Sequence, residues 1–186
     1  MEKKQRALVI DLALKRISTE SFVAEFGVDP RTDHEFVREE LGQALNQKSA
    51  DDVGCAMLLA FLFGFSRSWA PLLGTLLCED WHHSHEDIAS VLQDIRDSST
   101  VDALYETALK RHPYLDYDDA FVLAVKCIWA LHDIGTTAAQ EKLVLLSQSK
   151  NIVISGSADT RLKELIARRA AGGDAPYRSN SRVRPD

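Results

Sequence analysis

The sequence predicts an all-α fold, a short right-handed α-solenoid of stacked helical hairpins with a helical cap at its N-terminus. Three observations predict it. Apolar residues recur at helical spacing through most of the chain, as in Ile88, Val91, Leu92 and Ile95 at i, i+3, i+4 and i+7. Strand-like alternation is absent, and nine Gly and five Pro are too few for the tight turns of an all-β fold. Helix–turn–helix units also repeat. Leu92-Gln93-Asp94-Ile95 aligns with Leu131-His132-Asp133-Ile134, and each is followed by a polar turn and a second amphipathic helix.

In order, residues 1–27 read as two helices. Leu8 and Leu12 lie on the first, and Ser18 caps the second, which ends at Gly27. Pro30 disfavours helix at Asp29, so 28–33 is a loop before a third helix with Phe36, Val37, Leu41 and Leu45. Residues 1–48 form the expected cap. Ser49-Ala50-Asp51-Asp52 starts a fourth helix, apolar on nearly every side, which suits the middle of a stack. Ser66-Arg67-Ser68 breaks it, and Trp69–Cys78 follows with Pro71 in its first turn.

His85–Ile95 and Val101–Leu109 then form a hairpin whose turn, Asp97-Ser98-Ser99-Thr100, is made of capping residues. Helices over Ala120–Ile134, Ala138–Ser147 and roughly Ile152–Arg169 complete the stack, about nine helices in all, with the repeats spanning 49–170. Leu62 aligns with Leu92 as an earlier, weaker copy of the repeat. Residues 171–186 have almost nothing to bury and are expected to be a disordered basic tail.

The segments IASVLQDIRDSSTVDALYETAL and CIWALHDIGTTAAQEKLVLL resemble HEAT repeats, particularly the short HEAT-like units of the phycobilisome-lyase type. Ile134-Gly135 matches the ending of the first helix in that pattern, whereas Ile95-Arg96 departs from it by lacking the glycine. The resemblance covers about residues 50–170. It implies a fold and a stack of surfaces rather than one activity.

Composition narrows the function. Hydrophobic residues at 45% and charged residues at 27% are ordinary for a globular protein. The longest apolar run, Gly54–Phe65, falls short of the ~18 residues of a membrane span, so no membrane association is expected. Asp11 interrupts the apolar start and no small-residue cleavage site follows, so no signal peptide is expected. Cys55, Cys78 and Cys127 are scattered without a framework, which fits a reducing, cytoplasmic location. Residues 1–150 hold 24 acids against 15 bases, a net charge of −9, while 151–186 carry +3. Nucleic acid would be repelled by the acidic part, and a basic protein attracted.

Candidate chemistry concentrates in Cys78–Asp87. His82, His83, His85 and Glu86 could supply metal ligands, and the His85-Glu86 pair is similar to those of the di-iron deoxyhypusine hydroxylases. That family carries several such pairs, and this chain has one. The competing expectation is a loop between repeats, with acids at a helix N-terminus and His packed beside Trp81. No G-x-S-x-G, reactive-cysteine context or Gly-rich phosphate loop is present, so no enzyme and no cofactor is expected.

In a solenoid the loops joining successive repeats share one edge. Here those loops are 79–87 and 111–119. Glu79, Asp80, Glu86, Asp87, Asp116, Asp118 and Asp119 lie in them, with Trp81, Tyr114 and Tyr117 interleaved. Aromatics among acids have the composition of a surface for a basic protein partner. The expected function is a non-enzymatic protein-interaction module. In fold, size and charge it resembles the HEAT-like immunity proteins that neutralise a basic toxin domain. The alternatives are a metal-dependent HEAT-repeat enzyme and a lyase-like scaffold that holds an apolar ligand around Trp69, Tyr105 and Lys142.

Overall fold

A computed structural model describes residues 1–115, 119–170 and 183–184. Among these residues the fold is all-α, with ten α-helices, one for each segment read as a helix from the sequence: α1 Lys3–Ala13, α2 Thr19–Phe26, α3 His34–Gln47, α4 Ala50–Phe63, α5 Ala70–Cys78, α6 His85–Ile95, α7 Val101–Leu109, α8 Val122–Ile134, α9 Thr137–Ser147 and α10 Ile152–Ala170. No helix among the described residues is long and apolar enough to cross a membrane.

Local chemistry sets the helix ends. Ser18, Asp33, Ser49 and Thr136 each accept a hydrogen bond from a backbone N–H in the first turn of the following helix, which satisfies donors that have no partner within the helix. Gly27 stops α2 with φ 86°. Two bases tie off C-terminal carbonyls in neighbouring helices: Lys110 donates to Cys78 O at 3.0 Å, and Arg67 donates to Ile95 O.

α1 and α3 pack on α4, and α2 packs on α1. From α5 onward the helices fall into two rows. α5, α7 and α9 pack in succession, as do α6, α8 and α10, and each helix also packs on a neighbour in the other row. The two aligned segments meet within the second row, where Gln93 Nε2 of α6 donates to Asp133 Oδ2 of α8 at 2.7 Å. One continuous apolar core runs from Leu8 through α4, α6 and α8 to Leu165. Truncating a member such as Leu92 or Leu131 to Ala costs about 2–5 kcal/mol, from lost burial and the cavity left behind.

Three local expectations change. Leu62 does not play the part of Leu92. Leu92 is buried, whereas Leu62 is 46% exposed, because α4 turns that side chain away from the core. α8 starts at Val122 instead of Ala120, since Phe121 adopts a left-handed conformation, φ 52°, under the Arg111 guanidinium. Within the expected tail, Val183–Arg184 pair in parallel with Phe65–Ser66; residues 171–182 and 185–186 lie outside the described residues.

Candidate functional site

Two histidines satisfy carbonyls at the end of α5 and in the loop that follows it. His82 Nε2 lies 2.8 Å from Leu76 O, and His85 Nε2 lies 2.7 Å from Glu79 O. A carbonyl only accepts, so both rings carry their proton on Nε2. The Nδ1 atoms are then acceptors. His82 Nδ1 takes the Ser84 N–H at 3.2 Å, and His85 Nδ1 takes the Tyr114 hydroxyl at 2.8 Å. The two rings stack with centroids 4.2 Å apart.

Tyr114 joins this loop to the one after α7. Besides bonding His85, its ring stacks on His83 at 4.4 Å, while His112 packs on His85 at 4.0 Å. His82, His85 and His112 are buried, and burial pushes all three imidazoles below their ordinary range, His85 to about 4. They are held neutral. Among the described residues His112 Nε2 has no hydrogen-bond partner, and the ring lines a cavity of only about 50 Å³ between α7, α8 and α10.

The two loops expected to share an edge are thus brought together, but their residues do not all face solvent. Asp80, Asp87 and Asp119 are exposed. Glu79 is half-buried and accepts from Trp81 Nε1 at 2.7 Å, which holds the indole edge-on against His82. Glu86 pairs with Lys126 on α8 at 3.1 Å. Tyr114 is half-buried under the histidines. Asp116, Tyr117 and Asp118 lie outside the described residues.

The residues of the metal alternative are not assembled into a site. His82 and His85 use both ring nitrogens in hydrogen bonds, the His83 ring lies on Tyr114, and Glu86 turns to Lys126. Among the described residues no group of three or more His, Cys, Asp or Glu side chains has a metal-binding arrangement. The apolar-ligand alternative meets a different obstacle. Trp69 is buried in the core, and Lys142 lies over the Tyr105 ring at 4.7 Å while paired with Asp102 at 2.7 Å.

A separate concavity was not expected from the sequence: an open groove of about 770 Å³ where α1, α4 and the start of α6 meet. Lys3, Arg6 and Ile10 line one wall, Asp51 and Leu58 another, and Asp87 the α6 end. The one signal available was Gly54, a glycine inside an otherwise apolar helix, which lies in the groove. Comparison with known proteins finds no match: no family model, no curated protein and no solved structure matches the chain.

Proposed function

We propose that this chain is a non-enzymatic protein-interaction module that binds a basic protein domain through the acidic edge formed by loops 79–87 and 111–119. The domain division that goes with this reading is a cap over 1–48 and HEAT-like repeats over 49–170, stacked as a right-handed α-solenoid. The two-row packing of α5–α10 and the Gln93–Asp133 contact support that architecture.

The observation that carries the functional reading is the Tyr114 clamp. By bonding His85 and stacking on His83, Tyr114 places Asp80 and Asp119 on loops that are tied to each other. Carboxylates gathered on one edge raise the encounter rate with a positive surface and select against acidic partners. A toxin-type nuclease domain, positively charged to hold nucleic acid, is the partner class that fits. The edge would then act by covering that domain's active site.

The test is co-purification and stopped-flow association with the product of the adjacent open reading frame. The reading expects fast, salt-sensitive association that slows when Asp116, Asp118 and Asp119 become Asn. Salt-independent kinetics unchanged in the triple variant would remove the acidic edge.

A further inference from the structure

α1 and α4 start from a common end, where the Met1 amine and the Arg6 guanidinium both reach the Asp52 carboxylate, at 3.2 and 2.9 Å. Running side by side from there, they expose a paired apolar strip. Ile10 and Leu14 on α1 are 43% and 56% exposed; Leu58 and Leu62 on α4 are 36% and 46% exposed. Single exposed leucines are ordinary, but i, i+4 pairs on two packed helices make a continuous patch. The patch continues the groove, since Ile10 and Leu58 line it and their partners lie one turn further on. From Lys3 to Leu14 the helix rises ~17 Å, too long for a compact small molecule and suited to about three turns of a second helix.

Gly54 keeps the floor open. A Cβ built there meets no heavy atom within 4 Å, and its φ lies outside the left-handed region. Nothing in the surrounding packing therefore requires a glycine, although glycine weakens a helix interior relative to alanine. Its effect is to let another backbone approach closely.

The charges say what kind of segment fits. The Asp51 and Asp87 carboxylates, on the α4 and α6 walls, make neither a hydrogen bond nor a salt bridge among the described residues, and feel Arg6 and Lys126 only at longer range. Arg6 is already held by Asp52, which leaves Lys3 as the one Lys or Arg of the groove without an ion pair among the described residues, beside the His83 ring. Uncommitted acid therefore exceeds uncommitted base.

We propose that this groove binds one amphipathic helical segment of a partner protein, with its apolar stripe on Ile10, Leu14, Leu58 and Leu62 and its Lys or Arg flank on Asp51 and Asp87. This goes beyond the acidic edge: the two surfaces share Asp87, but loop 111–119 does not line the groove.

The test titrates the isotope-labelled full chain with synthetic peptides of about 12 residues: a leucine–lysine amphipathic helix, its leucine–glutamate counterpart and a glutamine–lysine control. The leucine–lysine peptide is expected to bind at least tenfold more tightly than the other two, with amide shifts at Ala7, Gly54, Leu58 and Asp87. Gly54→Leu, which fills the floor, and Leu58→Gln, on an exposed wall, should each weaken it at least tenfold while the melting temperature holds. Absence of binding, equal binding of the glutamine–lysine peptide, or shifts confined to Asp80, Tyr114 and Asp119 would overturn the proposal. So would a concentration-dependent dimer abolished by Gly54→Leu, which would make a second copy of the chain the occupant. None of these results bears on the association kinetics of the Asp116, Asp118 and Asp119 variant, so the two readings fail separately.

Discussion

Arg96 and Gly135 end equivalent helices, α6 and α8, in the same left-handed backbone conformation, with φ 56° and 65°. The repeat thus survives in the backbone where the residue type has changed. At Gly135 the conformation is nearly free; at Arg96 a side chain is forced into it. Gly135→Ala is expected to cost about 1 kcal/mol in urea unfolding. The source is backbone strain and not crowding, since the nearest atom to an added Cβ is His132 O at 3.5 Å. An unchanged midpoint would contradict a strained left-handed alanine at this position.

The helical class and the helix ends were legible because they are local. Ser18, Ser49, Gly27 and Gly135 each act within a few residues of themselves, and the period of the apolar positions shows directly in α6 and α8. The site was legible only in part. Sequence spacing marked the His-rich loop, but not that both nitrogens of His82 and His85 would be consumed by Leu76, Glu79, Ser84 and Tyr114, because those bonds depend on where α5 stops and where the next loop returns. The groove was invisible for the same reason. Ile10 and Leu58 look like core residues until the packing of α1 on α4 turns them outward.

The buried histidines make stability depend on pH. His82, His85 and His112 titrate below their ordinary value of 6.5 in the folded state, His85 at about 4. The unfolded chain therefore binds these protons first as pH falls. Stability from this cluster is complete above pH 6.5 and is lost as pH drops toward 4, on the order of 3 kcal/mol for His85 at the acid end. Urea midpoints across this interval should fall steadily. A flat profile would show that the histidines are already protonated in the native state, or accessible enough to become so.

Tyr114→Phe removes the hydroxyl that His85 Nδ1 accepts and leaves the stacking on His83. The expected loss is about 1 kcal/mol, with faster hydrogen exchange at the Ser84 amide, whose acceptor is His82 in the same stack. Exchange unaltered from wild type would mean that the two loops are held together by other contacts.

Asp52 is the polar joint of the N-terminal helices. Burial alone would raise its carboxyl, but the Arg6 guanidinium, the Ser49 cap and the Met1 amine outweigh it and hold the group below its usual range. Asp52→Ala is expected to cost about 2 kcal/mol, because it removes the buried partner of the Arg6 guanidinium and leaves the Met1 amine with Glu40 alone, at 3.4 Å. Thermal unfolding of this variant beside Asp51→Ala, an exposed neighbour outside the joint, separates the joint from a general loss of acid at the start of α4. Equal effects of the two would contradict the assignment.

Recruitment of a basic protein by the acidic edge is read from stopped-flow association of the wild-type chain and its Asp116, Asp118 and Asp119→Asn variant with the product of the adjacent open reading frame. The edge reading predicts that the triple variant associates about tenfold more slowly at low salt, with a shallower salt dependence and a dissociation rate changed far less. Equal association rates and equal salt slopes in the two proteins would contradict it.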